Sequence, residues 1–194
     1  MSIVSFVVIA IAFGISDMLL MRRCAESLPV PLSAGLLISF TVAVVHVALF
    51  CIGILLGNML KFELPGEPEA FARPNAFVFL GLAIIVSIKM MWPYMGRKIQ
   101  PVAYDLNSGT LRVLIFTIAT GINGFLLGMG VGFVTLLSGH FHSAFWPLLV
   151  ATFLFSYLGI MYGRQHVKLR PRRWMVVSAV ILIVTAIAAV VNAN

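Results

Sequence analysis

Six long apolar runs alternate with short polar gaps along this chain. The runs cover approximately residues 3–21, 33–57, 75–95, 111–137, 144–163 and 173–192. A helix needs roughly 20 mostly apolar residues to cross a bilayer, and each run is near that length. Barrel strands are shorter and alternate apolar with polar positions, whereas these runs are uniformly apolar. Lipid offers the backbone no hydrogen-bond partners, so such runs must satisfy themselves as helices. The pattern predicts an all-α membrane protein with six transmembrane helices, forming a single transmembrane domain over 1–194.

A second pattern lies inside the first. Gly53-Ile54-Leu55-Leu56-Gly57 ends the second run, and Gly159-Ile160-Met161-Tyr162-Gly163 ends the fifth, 106 residues later. Ala12-Phe13-Gly14-Ile15-Ser16-Asp17 is echoed by Ala119-Thr120-Gly121-Ile122-Asn123-Gly124 at a spacing of 107. Two echoes at nearly one spacing predict two three-helix halves, 1–95 and 100–194. Three is an odd number of crossings, so the second half must enter the bilayer from the opposite side. Such inverted repeats are a frequent transporter architecture, with the substrate held near the midplane where the halves meet. The alternative is an old duplication kept only as scaffold.

Charge orients the chain. Of the thirteen basic residues, ten fall in alternate gaps: Arg22 and Arg23; Arg97, Lys98 and Arg112; Arg164, Lys168, Arg170, Arg172 and Arg173. The other gaps hold only Lys61 and Arg73, beside Glu63, Glu67 and Glu69. The positive-inside rule then places residues 96–110 and 164–172 in the cytoplasm, and residues 61–74 and both termini outside. The N-terminus lacks a basic leader and a small-residue cleavage site, so it reads as a retained first helix of an inner-membrane protein. The net charge of +7 does not read as nucleic-acid binding. The cations stand at helix ends, where they meet anionic lipid head groups.

With 61% hydrophobic and 10% charged residues, each ionisable group inside a run needs a reason, because it costs about 2.5–3.5 kcal/mol to insert. Asp17 is the only acid in a predicted span. It pairs with Arg22 or Arg23, or it is a cation ligand. His46 sits near the centre of the second run, as a metal ligand, a proton relay or a neutral side chain bonded to a facing helix. Asn123, near the middle of the fourth run, offers an amide oxygen to a cation or bonds a neighbouring helix. Lys89 snorkels to the cytoplasmic interface. Gly124, Gly128 and Gly132 line one helix face and permit close packing. His140 and His142, in the short outer loop, form a weak metal pair. Cys24 and Cys51 read as packing residues. Zinc-protease, nucleophile-elbow and phosphate-loop signatures are absent, so the chain does not read as an enzyme.

Three stretches carry a family resemblance. Ile118-Ala119-Thr120-Gly121-Ile122-Asn123-Gly124 is similar to the Ala-Thr-Ser-Ile-Asp-Ala of the putative manganese efflux pump family, within the lysine-exporter superfamily. Ile88-Lys89-Met90-Met91 resembles that family's Gly-Ile-Lys-Met-Ile, and Thr152 to Gly163 resembles its fifth helix. The resemblance implies six helices, a divalent metal as cargo and no cofactor. It carries the family's site onto Asp17, His46 and Asn123. Asn123 replaces one membrane Asp. His46 replaces a Gln or Glu. Gly14-Ile15-Ser16-Asp17 resembles Gly-Leu-Ser-Met-Asp with one residue deleted, which puts Asp17 at the first acid position; an ungapped alignment puts Ser16 there.

The leading reading is export of a divalent metal, manganese for preference, driven by proton exchange. Asp17 supplies charge and oxygen, Asn123 a neutral oxygen, and His46 a nitrogen or a proton relay. The partners are membrane lipid and the metal ion. One carboxylate is little charge for a divalent ion. The alternatives are export of another small solute, such as an amino acid or related cation, and a non-transporting scaffold. The scaffold predicts that Asp17 bonds an arginine and that no cavity joins the halves.

Overall fold

The structure, a computed structural model, describes residues 3–27, 31–61, 71–95, 110–134, 137–167 and 169–193. Six helices account for nearly all of them: α1 (Ile3–Ser27), α2 (Leu32–Leu60), α3 (Ala72–Met95), α4 (Thr110–Val134), α5 (Leu137–Arg164) and α6 (Pro171–Val191). Each contains a stretch long and apolar enough to cross a membrane, and no strand occurs among the described residues. Large apolar side chains cover the outside of the bundle, among them Leu37, Phe40, Val44, Ile85, Ile88 and Val184. A water-soluble helix would carry polar residues there; these face lipid. Residues 62–70 and 96–109, most of the two longer linkers, lie outside the described residues, as does Lys168.

Two helices extend six or more residues beyond their apolar runs. α1 continues six residues beyond the expected end at 21, through Arg22 and Arg23 to Ser27. An Arg22–Glu26 ion pair of 2.5 Å, one turn apart, supports that extension. α5 starts at Leu137, not 144. His140 and His142 therefore stand in its first turns and not in a loop, which corrects the reading from hydropathy. An apolar window finds the part of a helix that crosses lipid; polar residues outside lipid do not end the helix.

Every extensive helix interface joins one half of the chain to the other. The largest are α1 with α5 and α2 with α4, followed by α3 with α6, α2 with α5, α3 with α4 and α1 with α6. Exchanging α1 with α4, α2 with α5 and α3 with α6 leaves this pairing unchanged. A buried cluster of Met21, Cys24, Ala25, Ile38, Val42, Phe116 and Ile160 fixes the directions. It joins the C-terminal parts of α1 and α5 to the N-terminal parts of α2 and α4. α1 and α5 thus run toward this end and α2 and α4 away from it.

Glycines set the closest approaches. Cβ atoms on Gly53 and Gly57 of α2 would strike the carbonyl oxygens of Phe125 and Met129 on α4. On Gly159 and Gly163 of α5 they would strike those of Met18 and Arg22 on α1. Without side chains, the paired backbones pack by direct van der Waals contact, which holds helices together in lipid. The two Gly-x-x-x-Gly echoes therefore do the same work in equivalent places.

Candidate functional site

α1, α2 and α4 bring three polar side chains together inside the apolar bundle. Asp17 is 3% exposed and His46 is fully buried. His46 Nδ1 lies 3.1 Å from Asp17 Oδ2. On the other side of the ring, Nε2 lies 3.2 Å from the Thr117 carbonyl oxygen and 3.1 Å from Thr120 Oγ1. The Phe13 ring packs edge-on against the imidazole, with centroids 5.5 Å apart.

These contacts determine the protonation of the ring. A carbonyl oxygen only accepts, so His46 Nε2 carries a hydrogen and donates it. The Thr120 hydroxyl spends its own hydrogen on the Phe116 or Thr117 carbonyl, 3.1 and 3.0 Å away, and receives from His46. One further proton then lies between Nδ1 and Oδ2. Placed on Nδ1, it makes an imidazolium–carboxylate pair; placed on Oδ2, it makes a neutral acid donating to a neutral ring. The pair carries no net charge in either form, which lowers the cost of burying an acid and an imidazole together.

Asp17 also lines a cavity of about 220 Å³ between α1, α3, α4 and α6. Ser16, Thr120, Asn123, Arg23 and Lys89 line it as well. Asn123 Oδ1 is buried with no hydrogen-bond partner, an oxygen ready for a donor or a cation. Pro93, on the same wall, has no N–H to give the Lys89 carbonyl one turn before it. Asp17 thus meets His46 directly and shares a cavity with Asn123, while His46 lies behind Asp17. Among the described residues, no three His, Cys, Asp or Glu side chains group as a metal cluster.

Asp17 bonds His46, and neither of the arginines the sequence offered as partners. Arg22 is held by Glu26 instead, and Arg23 stacks on the Tyr94 ring, 3.8 Å from its centroid. Thr120 was missed by sequence reasoning, although it stands three residues before Asn123 and so on the same face of α4. Arg23 was read as an orienting cation or a partner of Asp17, and Lys89 as an interfacial anchor. Both in fact line the cavity.

The glycine contacts also give a register between the halves. Phe125 and Met129 follow Met18 and Arg22 by 107 residues, while Gly159 and Gly163 follow Gly53 and Gly57 by 106. In that register Asn123 corresponds to Ser16, and Asp17 to Gly124. It is the same register as the sequence echo at a spacing of 107. His46 corresponds to Thr152, which is fully buried with an unpartnered hydroxyl. The first half holds the charge and the second half only neutral oxygens.

A larger cavity, of about 430 Å³, opens at the other end of the same four helices, lined by Ser5, Phe133, Thr185 and Asn192 among others. Ile9, Phe79, Leu127 and Leu182, all buried, fill the core between the two.

The profile of a family described as putative manganese efflux pump matches residues 30–190. The matched span contains His46 and Asn123; Asp17 precedes it. No curated protein matches the chain, and no solved structure does.

Proposed function

The chain belongs to the putative manganese efflux pump family, and from that premise we propose that it exports a divalent metal cation, manganese for preference, in exchange for protons. The observation that carries the reading is the buried Asp17 carboxyl. It faces a cavity shared with the unpartnered Asn123 oxygen and is bonded from behind to His46. A hard cation such as manganese favours oxygen ligands. Asp17 and Asn123 supply them, Ser16 and Thr120 add hydroxyl oxygens on the same cavity, and the Asp17–His46 pair holds the exchangeable proton.

The cavity lies between α1 and α4, which belong to different halves and run in opposite directions. That placement, with the exchangeable helix pairing, supports an inverted repeat with its site at the junction. The basic end, with Arg22, Arg23 and Arg164, faces the cytoplasm of a bacterial inner membrane in this reading. The site cavity is then the entry side, and the cavity at Ser5 and Asn192 the exit. The scaffold alternative called for Asp17 bonded to an arginine and no cavity between the halves; Asp17 bonds His46 and lines such a cavity.

The test is metal-dependent growth and cellular metal content with and without the chain, across manganese, zinc, iron and cadmium. The expected result is lower cellular manganese and better growth in excess manganese when the chain is present. Unchanged content of all four metals would overturn the reading.

A further inference from the structure

The charges around the site cavity do not balance. Among the described residues Asp17 is the only acid lining it, and it is already engaged by His46. Arg23 from α1 and Lys89 from α3 line the same cavity, and among the described residues neither has an ion-pair partner. Two cations lining one cavity repel a cation cargo placed in it.

Arg23 is also held in place. Its guanidinium carbon lies over the ring of the buried Tyr94, 3.8 Å from the centroid. Its Nη2 is buried with no acceptor, whereas the corresponding atom of Arg22 bonds Glu26. A fixed guanidinium with unspent donors matches the oxygen spacing of a phosphate or carboxylate. The cavity is much larger than the roughly 30 Å³ share of one water, so an oxyanion fits beside a metal ion at Asp17 and Asn123.

We propose that Arg23 and Lys89 form an oxyanion subsite at the candidate metal site, taking a phosphate or carboxylate group. The anion neutralises the two cations and lets the cavity accept a divalent ion that one carboxyl could not hold alone. What the anion does rests on the metal-export reading; whether it binds does not. A lipid head group and a free anion offer the same chemistry.

The test uses the full chain in a non-ionic, phosphate-free detergent. Thermal unfolding is followed against added sodium phosphate, with sodium chloride at equal ionic strength as reference, and separately against short-chain phosphatidylglycerol. A saturable rise in Tm with phosphate is expected. Arg23→Gln and Lys89→Gln should each weaken it about tenfold or more, the scale of one charge-assisted bond, and Arg73→Gln, at the far end of α3, should leave it intact. Arg23→Lys keeps the charge without the fork and should fall between. Lys89 is exposed and unpaired, so Lys89→Gln reports even if Arg23→Gln does not fold. A response to the lipid alone, lost in Lys89→Gln, supports the subsite with a head group as the source. No response to either probe, or one unchanged in both Gln variants, overturns it. Manganese flux in proteoliposomes separates the two readings. Phosphate binding without manganese flux ends the export reading and leaves the subsite standing. Manganese flux that is indifferent to both Gln variants ends the anion's part in transport and leaves the export reading standing.

Discussion

His46 and Asp17, 29 residues apart in sequence, face each other across 3.1 Å in the middle of the bundle. The ring of His46 is pinned on its other side by α4, so α1, α2 and α4 meet at one proton-sharing contact. Asp17→Asn keeps the shape and can still donate an N–H to His46 Nδ1, but it removes the carboxyl. Metal export should be abolished while expression and folding persist. Export equal to the unmodified protein, at equal expression, would defeat the mechanism even if the fold is right.

His46→Ala should destabilise the protein, because it strands the buried Asp17 carboxyl. An unsatisfied buried group costs about 1–3 kcal/mol. Replacing both partners by apolar residues removes the need for pairing, so His46→Leu with Asp17→Leu should recover part of the loss. Unfolding midpoints in detergent for the single and double variants measure the coupling. Additive effects would mean that the 3.1 Å contact contributes nothing.

Asn123→Asp should be tolerated and should strengthen manganese handling. It adds a carboxylate at the position whose present oxygen lacks a partner. Because Ser16 corresponds to Asn123 between the halves, Ser16→Asp should act in the same direction. Manganese tolerance at equal expression is the readout. Loss of tolerance in both variants would place the metal elsewhere.

Gly57→Ala should cost about 1–3 kcal/mol, the usual range for overpacking, because the added methyl meets the rigid Met129 backbone. Gly81→Ala should be neutral, since nothing lies within 4 Å of the new methyl. The difference in Tm between the two variants tests the close approach of α2 and α4.

Reporter fusions at Gly109 and Gly66, both outside the described residues, should give opposite signals, with Gly109 cytoplasmic. The ten-to-two division of basic residues between alternate gaps predicts this. Equal signals would overturn the orientation.

Six helices were legible in the sequence because length and apolarity decide insertion one segment at a time, whatever the segment packs against. Asp17, His46 and Asn123 stood out for the same reason: a polar group in a lipid-length apolar run is costly wherever its partner is. The echoed Gly-x-x-x-Gly motifs were visible as well, as spacing. Partner choice was not visible. Helices that are apolar all round show no buried face in their pattern, and in lipid no hydrophobic force selects one neighbour over another; shape and hydrogen bonding do. Only the tertiary structure therefore decided that every large interface joins the two halves. It also decided that Asp17 bonds His46 and not an arginine, and that Arg23 and Lys89 border the same cavity.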